Sequence, residues 1–320
     1  MGRSTRIWLI IAAILVVAGI VLFSVALWKA DFDLDMLSTG NYETNTYEIS
    51  EDFNHLSLDT GTASIFFVLS ADGKCKVDCY EEEKVKHTAA VKGDTLEIQV
   101  TDQRQWYDYI GIHFDSPKIT VYLPKAEYGA LSISGSTGII QIPEKLTFER
   151  VDISTDTGNI HCLATVSGLL KIKTSTGKIG VENTSVGALD LSVSTGLITV
   201  SQVNCQEDMN IRVSTGRTNL TDIACKNLTS NGDTGDIVLN HVIAAEKISV
   251  QRSTGEVRFD GSDAAEIFVE TDTGDVTGSL LTAKVFVASS DAGRVNVPKS
   301  TAGGRCEIHT DTGNIKITIP

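Results

Sequence analysis

From Ser136 onward the chain carries a glycine every 19 or 20 residues, at Gly138, Gly158, Gly177, Gly196, Gly216, Gly235, Gly255, Gly274, Gly293 and Gly313. A repeat of this length is the mark of a solenoid, because a unit of two short strands cannot bury its inner face alone and must stack on its copies. Ser or Asp stands two residues before each glycine, as in Ser136, Asp156, Ser214 and Asp272. Two and four residues after it the chain mostly places Ile, Val or Leu, from Ile140 and Ile142 to Ile315 and Ile317. A second alternating run precedes the glycine, for example Leu189 and Leu191 with Asp190 between them. This period of two marks strands with one buried and one wet face. The pattern predicts an all-β fold, a parallel β-solenoid of 19–20 residues per coil in which each strand pairs with its copies above and below. In that turn glycine adopts left-handed backbone angles, which any other residue takes at a cost of about 1–2 kcal/mol. The Ser or Asp before it is expected to bond nearby backbone amides.

The remainder divides by composition. Residues 1–6 form a short basic tail, and Ile7 to Trp28 run without a charge. That segment is long enough to cross a hydrocarbon core of about 30 Å as a helix. Its apolar run exceeds the core of a cleaved signal peptide, and Ser24-Val25-Ala26 is a poor cleavage site, so an uncleaved anchor is expected. Arg3 and Arg6 before it place the N-terminus inside and everything after Lys29 outside. Residues 29–52 read as an acidic stalk, 53–135 as an N-terminal β cap with a hairpin turning at Lys92-Gly93-Asp94, and 136–320 as the repeats. The net charge is −14, and the charges of the first 29 residues are all positive, so the exterior part is more acidic still. Such a surface repels nucleic acid and anionic lipid.

The recurring Ser/Asp-Thr-Gly-x-Ile/Val turns, the lead-in FNHLSLDTGTASIFFV and the strand ITVYLP resemble the bacterial putative-adhesin family of β-strand repeats, from about Phe53 to Pro320. The resemblance implies a membrane anchor joined to an exterior β-repeat rod, in many cases in Gram-positive bacteria and in some beside envelope-stress regulators. It implies no catalytic residue. The expected function is therefore a non-catalytic surface module, adhesin-like or supporting the envelope, whose partner is an envelope protein or a glycan. An accessory role in envelope-stress signalling is the alternative, and a carbohydrate-active β-helix enzyme the third reading. No feature of the sequence sets an oligomeric state.

Five Asp-Thr-Gly tripeptides, at Asp59, Asp156, Asp233, Asp272 and Asp311, match the catalytic turn of aspartic proteases. Such proteases need two carboxylates sharing one proton, whereas corner residues of a solenoid face the same way along one edge. Asp236, Glu256 and Asp275 stack beside Asp233 and Asp272 as an acidic stripe, the oxygen-rich arrangement that calcium favours, although a solvated face is the plainer expectation. No other cofactor is expected. Six cysteines occupy mainly inward columns and read as free core thiols, with Cys205 and Cys225, one coil apart, the pair placed to form a disulfide. Cys75 and Cys79 lie on one strand, and no His joins them at metal-ligand spacing. The aromatic run from Trp106 to Phe114, with Tyr107 and Tyr109, reads as a plug over the rod's end or as an interaction surface. The last strand, NIKITIP, is expected to be an open edge able to pair with another strand, blunted by Lys316 and Pro320.

Overall fold

The structure, a computed structural model, describes residues 2–29, 41–109 and 115–319. Helix α1 (Arg3–Lys29) is apolar on every side and buried against no other part of the described chain. Its length and composition suffice to cross a membrane.

Among the described residues nineteen strands form one continuous wound sheet. The first seven are β1 (Tyr42–Ile49), β2 (His55–Asp59), β3 (Ser64–Leu69), β4 (Cys75–Glu82), β5 (Val85–Lys92), β6 (Thr95–Asp102) and β7 (Lys118–Leu123). The coils continue through β8 (Glu127–Thr137), β9 (Ile140–Ile142), β10 (Thr147–Cys162), β11 (Thr165–Cys205), β12 (Asp208–Thr234), β13 (Ile237–Thr254), β14 (Val257–Thr273) and β15 (Val276–Leu280). The chain ends in β16 (Lys284–Ala292), β17 (Val295–Asn296), β18 (Gly304–Thr312) and β19 (Ile315–Thr318). Several of these strands run on around the solenoid corners, which is why β11 spans 41 residues.

From β8 to β15 neighbouring coils pair in parallel and in the register the glycine beat dictates, with Gly158 opposite Gly177 and Gly196 opposite Gly216. Identical columns therefore stack: Ile153 lies over Ile172 and Leu191 over Ile211, all inside one core that runs from Phe53 to Ile317. The hairpin of β5 and β6 closes at Gly93-Asp94, where Gly93 has φ +62°.

Coils do not stack in chain order at either end. The β2–β3 coil lies between the β8–β9 coil and the β6–β7 coil, with the rings of Phe53, Tyr128 and Phe148 stacked through this junction at 5.7 and 6.1 Å. At the other end β18 pairs with both β14 and β16, and β19 with both β15 and β17. The last coil of the chain is thus inserted beneath the one before it. Gly303 and Gly304 permit this. A Cβ on Gly303 would lie 1.8 Å from the Ala283 carbonyl oxygen, and one on Gly304 1.8 Å from that of Ala265. The expectation that NIKITIP forms the open edge is corrected: Lys316 pairs with Thr277 on one side and Asn296 on the other, and the exposed edge is β16–β17.

Candidate functional site

At the repeat corners, Asp59, Asp156, Asp233, Asp272 and Asp311 all stand exposed. Carboxylates in water do not share a proton as a protease dyad does, and exposure explains why Ser and Asp exchange freely at this position. At three of the turns a hydrogen bond to a glycine carbonyl comes from the residue three before the repeat glycine, a mostly buried column that sequence reading missed. Thr310 and Thr271 donate to the carbonyls of Gly274 and Gly255 at 3.1 and 3.5 Å, and Ser290 to that of Gly313 at 2.8 Å. Where that column holds Arg252, its guanidinium enters the core, donating to Ser230 Oγ at 2.8 Å and to the Gln251 carbonyl at 2.9 Å. Burial pulls the Arg252 pKa down to about 10, opposed by the Asp233 charge. Gly232, one coil before, leaves the necessary room, since a Cβ there would lie 2.8 Å from Arg252 Nη1.

The acidic stripe is engaged in bonds between coils. Asp236 Oδ1 accepts the Glu256 amide at 3.1 Å while its Oδ2 accepts from Arg217 at 3.2 Å. Asp275 Oδ1 accepts the Asn314 amide at 2.6 Å. Glu256 is exposed. These side chains extend the backbone ladder past the glycine, a role Asn159 also takes toward the Lys178 amide.

A further column, six residues after glycine, forms a second corner. Asn183, Gln202, Asp222 and His241 have φ between 51° and 54°, and Gly261 continues the column at 56°. Asn, Asp and His tolerate this left-handed conformation better than most residues. Their recurrence at one offset was the available signal. A shallow open groove runs along it past Asn183, Gln202 and Asp222.

Trp106 begins a single helical turn (Trp106–Tyr109) and is 77% exposed. The side chains of Tyr107 and Tyr109, like residues 110–114, lie outside the described part. All six cysteines, Cys205 and Cys225 included, are free and buried, and burial pushes the Cys162 thiol up to about 12. One sequence expectation about them is corrected. His87, brought back by the tight connection from β4 to β5, meets Cys79, and Glu81 completes a cluster of three buried side chains whose potential ligand atoms lie within 4.8 Å of one another. Spacing along the chain hid it because Cys79 and His87 sit on different strands.

The outermost strands at the other end, β16 and β17, pair on one side only. Val285 and Val287 point outward, Val287 being 51% exposed, while Phe286 and Ala288 pack half-buried on the core with no coil above them. From Val285 to Ser290 the strand has no charge and no proline. The two single-sided strands of the opposite end differ. β1 carries Glu43 and Glu48, β5 carries Lys86 and Lys92, and Lys86 pairs with Glu43. Charges of this kind blunt an edge against pairing.

The profile of the Toastrack DUF4097 family matches residues 53–216 and 197–320. No protein of curated function matches. Among solved structures, one from Parabacteroides distasonis, named a "putative lipid binding protein", shares 19% identity, with a TM-score of 0.52 over 75% of this chain and 98% of its own. One from Parabacteroides merdae, named a "putative adhesin", shares 15% identity over 77% of this chain and 98% of its own, with a TM-score of 0.46. At 19% identity the likeness to the first of these speaks for the fold alone. The two family matches together run from the entry to β2 through the final strand, so the chain belongs to the Toastrack DUF4097 family.

Proposed function

We propose that this chain is a non-catalytic, membrane-anchored surface protein that holds an envelope partner by strand addition at β16–β17. In this reading α1 crosses the cytoplasmic membrane with residues 1–6 inside, and the acidic rod stands outside. The open edge of β16, uncharged from Val285 to Ser290, carries the reading. Its unpaired backbone groups supply affinity to an extended segment of the partner, and the outward Val285 and Val287 supply side-chain contacts. The edge lies at the opposite end of the rod from β1, the first described strand after α1, which suits a contact made away from the anchor. The exposed Asp-Thr-Gly carboxylates are spacers of a corner and do no chemistry.

The test is capture of envelope proteins by the full chain in native membranes. Val287→Lys, which places a charge on the edge, is expected to lower recovery of the specific partner at least tenfold, while Ile243→Lys on the side of the rod and Lys316→Val leave it unchanged. Equal recovery with all three variants, or sustained turnover of casein or acidic glycans by the wild-type chain, would overturn the proposal.

A further inference from the structure

We propose that Cys79, Glu81 and His87 form a binding site for a divalent cation of the zinc type. Cys79 and Glu81 are two residues apart on β4 and point the same way, into the core, and His87 on β5 faces them. Cys79 and Glu81 are 0% exposed and His87 1%. Glu81 Oε2 lies 2.7 Å from His87 Nδ1 and accepts the His87 backbone amide at 2.7 Å, while Oε1 accepts from Asn45 at 2.7 Å. His87 Nε2 is 3.4 Å from the Thr60 carbonyl oxygen, which fixes the ring so that Nδ1 faces the cluster.

The plainest alternative is a hydrogen-bonded Glu–His pair that happens to abut a core cysteine. That arrangement accounts for two of the three side chains and leaves two ionisable groups buried at a cost in desolvation. A metal gives all three a function. One sulfur, one imidazole nitrogen and one carboxylate oxygen form a donor set that zinc accepts and that calcium or magnesium does not favour. A tetrahedral zinc holds a nitrogen and an oxygen donor about 3.3–3.5 Å apart, so His87 Nδ1 and Glu81 Oε2, now 2.7 Å apart, need separate by only about 0.6–0.8 Å. Charge also balances. A thiolate and a carboxylate neutralise a 2+ ion, with His87 neutral, so the loaded site brings no net charge into the core. Binding displaces the Cys79 proton and any proton shared by His87 and Glu81. β1 lies over the cluster through Asn45 and through Tyr47, whose hydroxyl donates to the His87 carbonyl. Because β1 is held by β4 on one side alone, its local opening gives a route for the ion.

The experiment uses the full chain in mild detergent, stripped with a chelator, dialysed against zinc and assayed for bound metal by mass spectrometry, with cobalt substitution followed by absorption. One zinc per chain is expected, together with a thiolate-to-cobalt charge-transfer band. Cys79→Ser should weaken binding at least tenfold and abolish the band, whereas Cys75→Ser, on the same strand but outside the cluster, should do neither. The proposal is overturned if the wild-type chain retains no zinc, if its cobalt form lacks the thiolate band, or if Cys75→Ser behaves as Cys79→Ser does.

Discussion

Replacing Gly216 with alanine should destabilise the rod by about 3 kcal/mol or more, measured by urea unfolding with circular dichroism. Two effects add. At φ +142° an L-residue is strained, at about 1–3 kcal/mol. The new Cβ would also sit 1.7 Å from the Gly196 carbonyl oxygen, which can retreat only by breaking the ladder between those coils. Overpacking a well-filled interior costs about 1–3 kcal/mol by itself. Solenoid coils lean on their nearest neighbours, so the disruption should propagate to both sides of the altered turn. Ser214→Asp, two residues earlier and in the exposed corner column, is the matched control and should change stability by less than about 0.5 kcal/mol.

The second large effect concerns the point where the chain skips a coil. Lys284, the first residue of β16, reaches Asp263 Oδ1 at 2.6 Å, and both side chains are nine-tenths buried or nearly so. Lys284 also donates to Thr282 at 2.7 Å, and Asp263 accepts the Ala264 amide at 2.8 Å. Burial pushes the nearby Cys306 thiol up to about 12, with the Lys284 and Asp263 charges acting on it in opposite directions. Lys284→Met leaves Asp263 buried without its counter-ion and should cost about 3–5 kcal/mol. Adding Asp263→Leu should recover most of that loss, because a buried ion pair replaced whole by apolar groups is often neutral. A double-mutant cycle in thermal or urea unfolding reads the coupling, and additive single losses would contradict the account.

How far the sequence reveals this depends on what each residue reports. The glycine column and the alternation of Ile, Val and Leu disclose the coil length, the inward columns and the parallel register, because each recurs with the coil and each has one physical cause. The cost of the glycine turn was underestimated from dihedral preference alone, since the closer limit is the carbonyl of the preceding coil, a neighbour 19 or 20 residues away. Stacking order at the ends was not legible, because β18 carries the same pattern as every other coil and pairs as well with β14 as with β16. The one local trace was Gly303-Gly304, a doublet off the beat, which marks where backbone passes close to Ala265 and Ala283. The Cys79, Glu81 and His87 cluster stayed hidden for a related reason: it forms at the connection from β4 to β5, outside the parallel coils, where no repeat forecasts the neighbours.

The structural logic joins these features. The inner columns of the rod are mostly apolar, and its two ends are where the sheet stops. One end is closed by charged strands and the buried cluster. The other presents β16, pinned in place by Lys284 and Asp263, with an open edge that carries no charge from Val285 to Ser290.

Site-specific photocrosslinking in the intact membrane tests that assignment most directly, with a photoreactive residue placed at Val287 on the edge and, separately, at Ile243 on the flank. The account predicts a discrete adduct with an envelope partner from position 287 and none from position 243. Adducts of equal yield from both positions, or from position 243 alone, would contradict it.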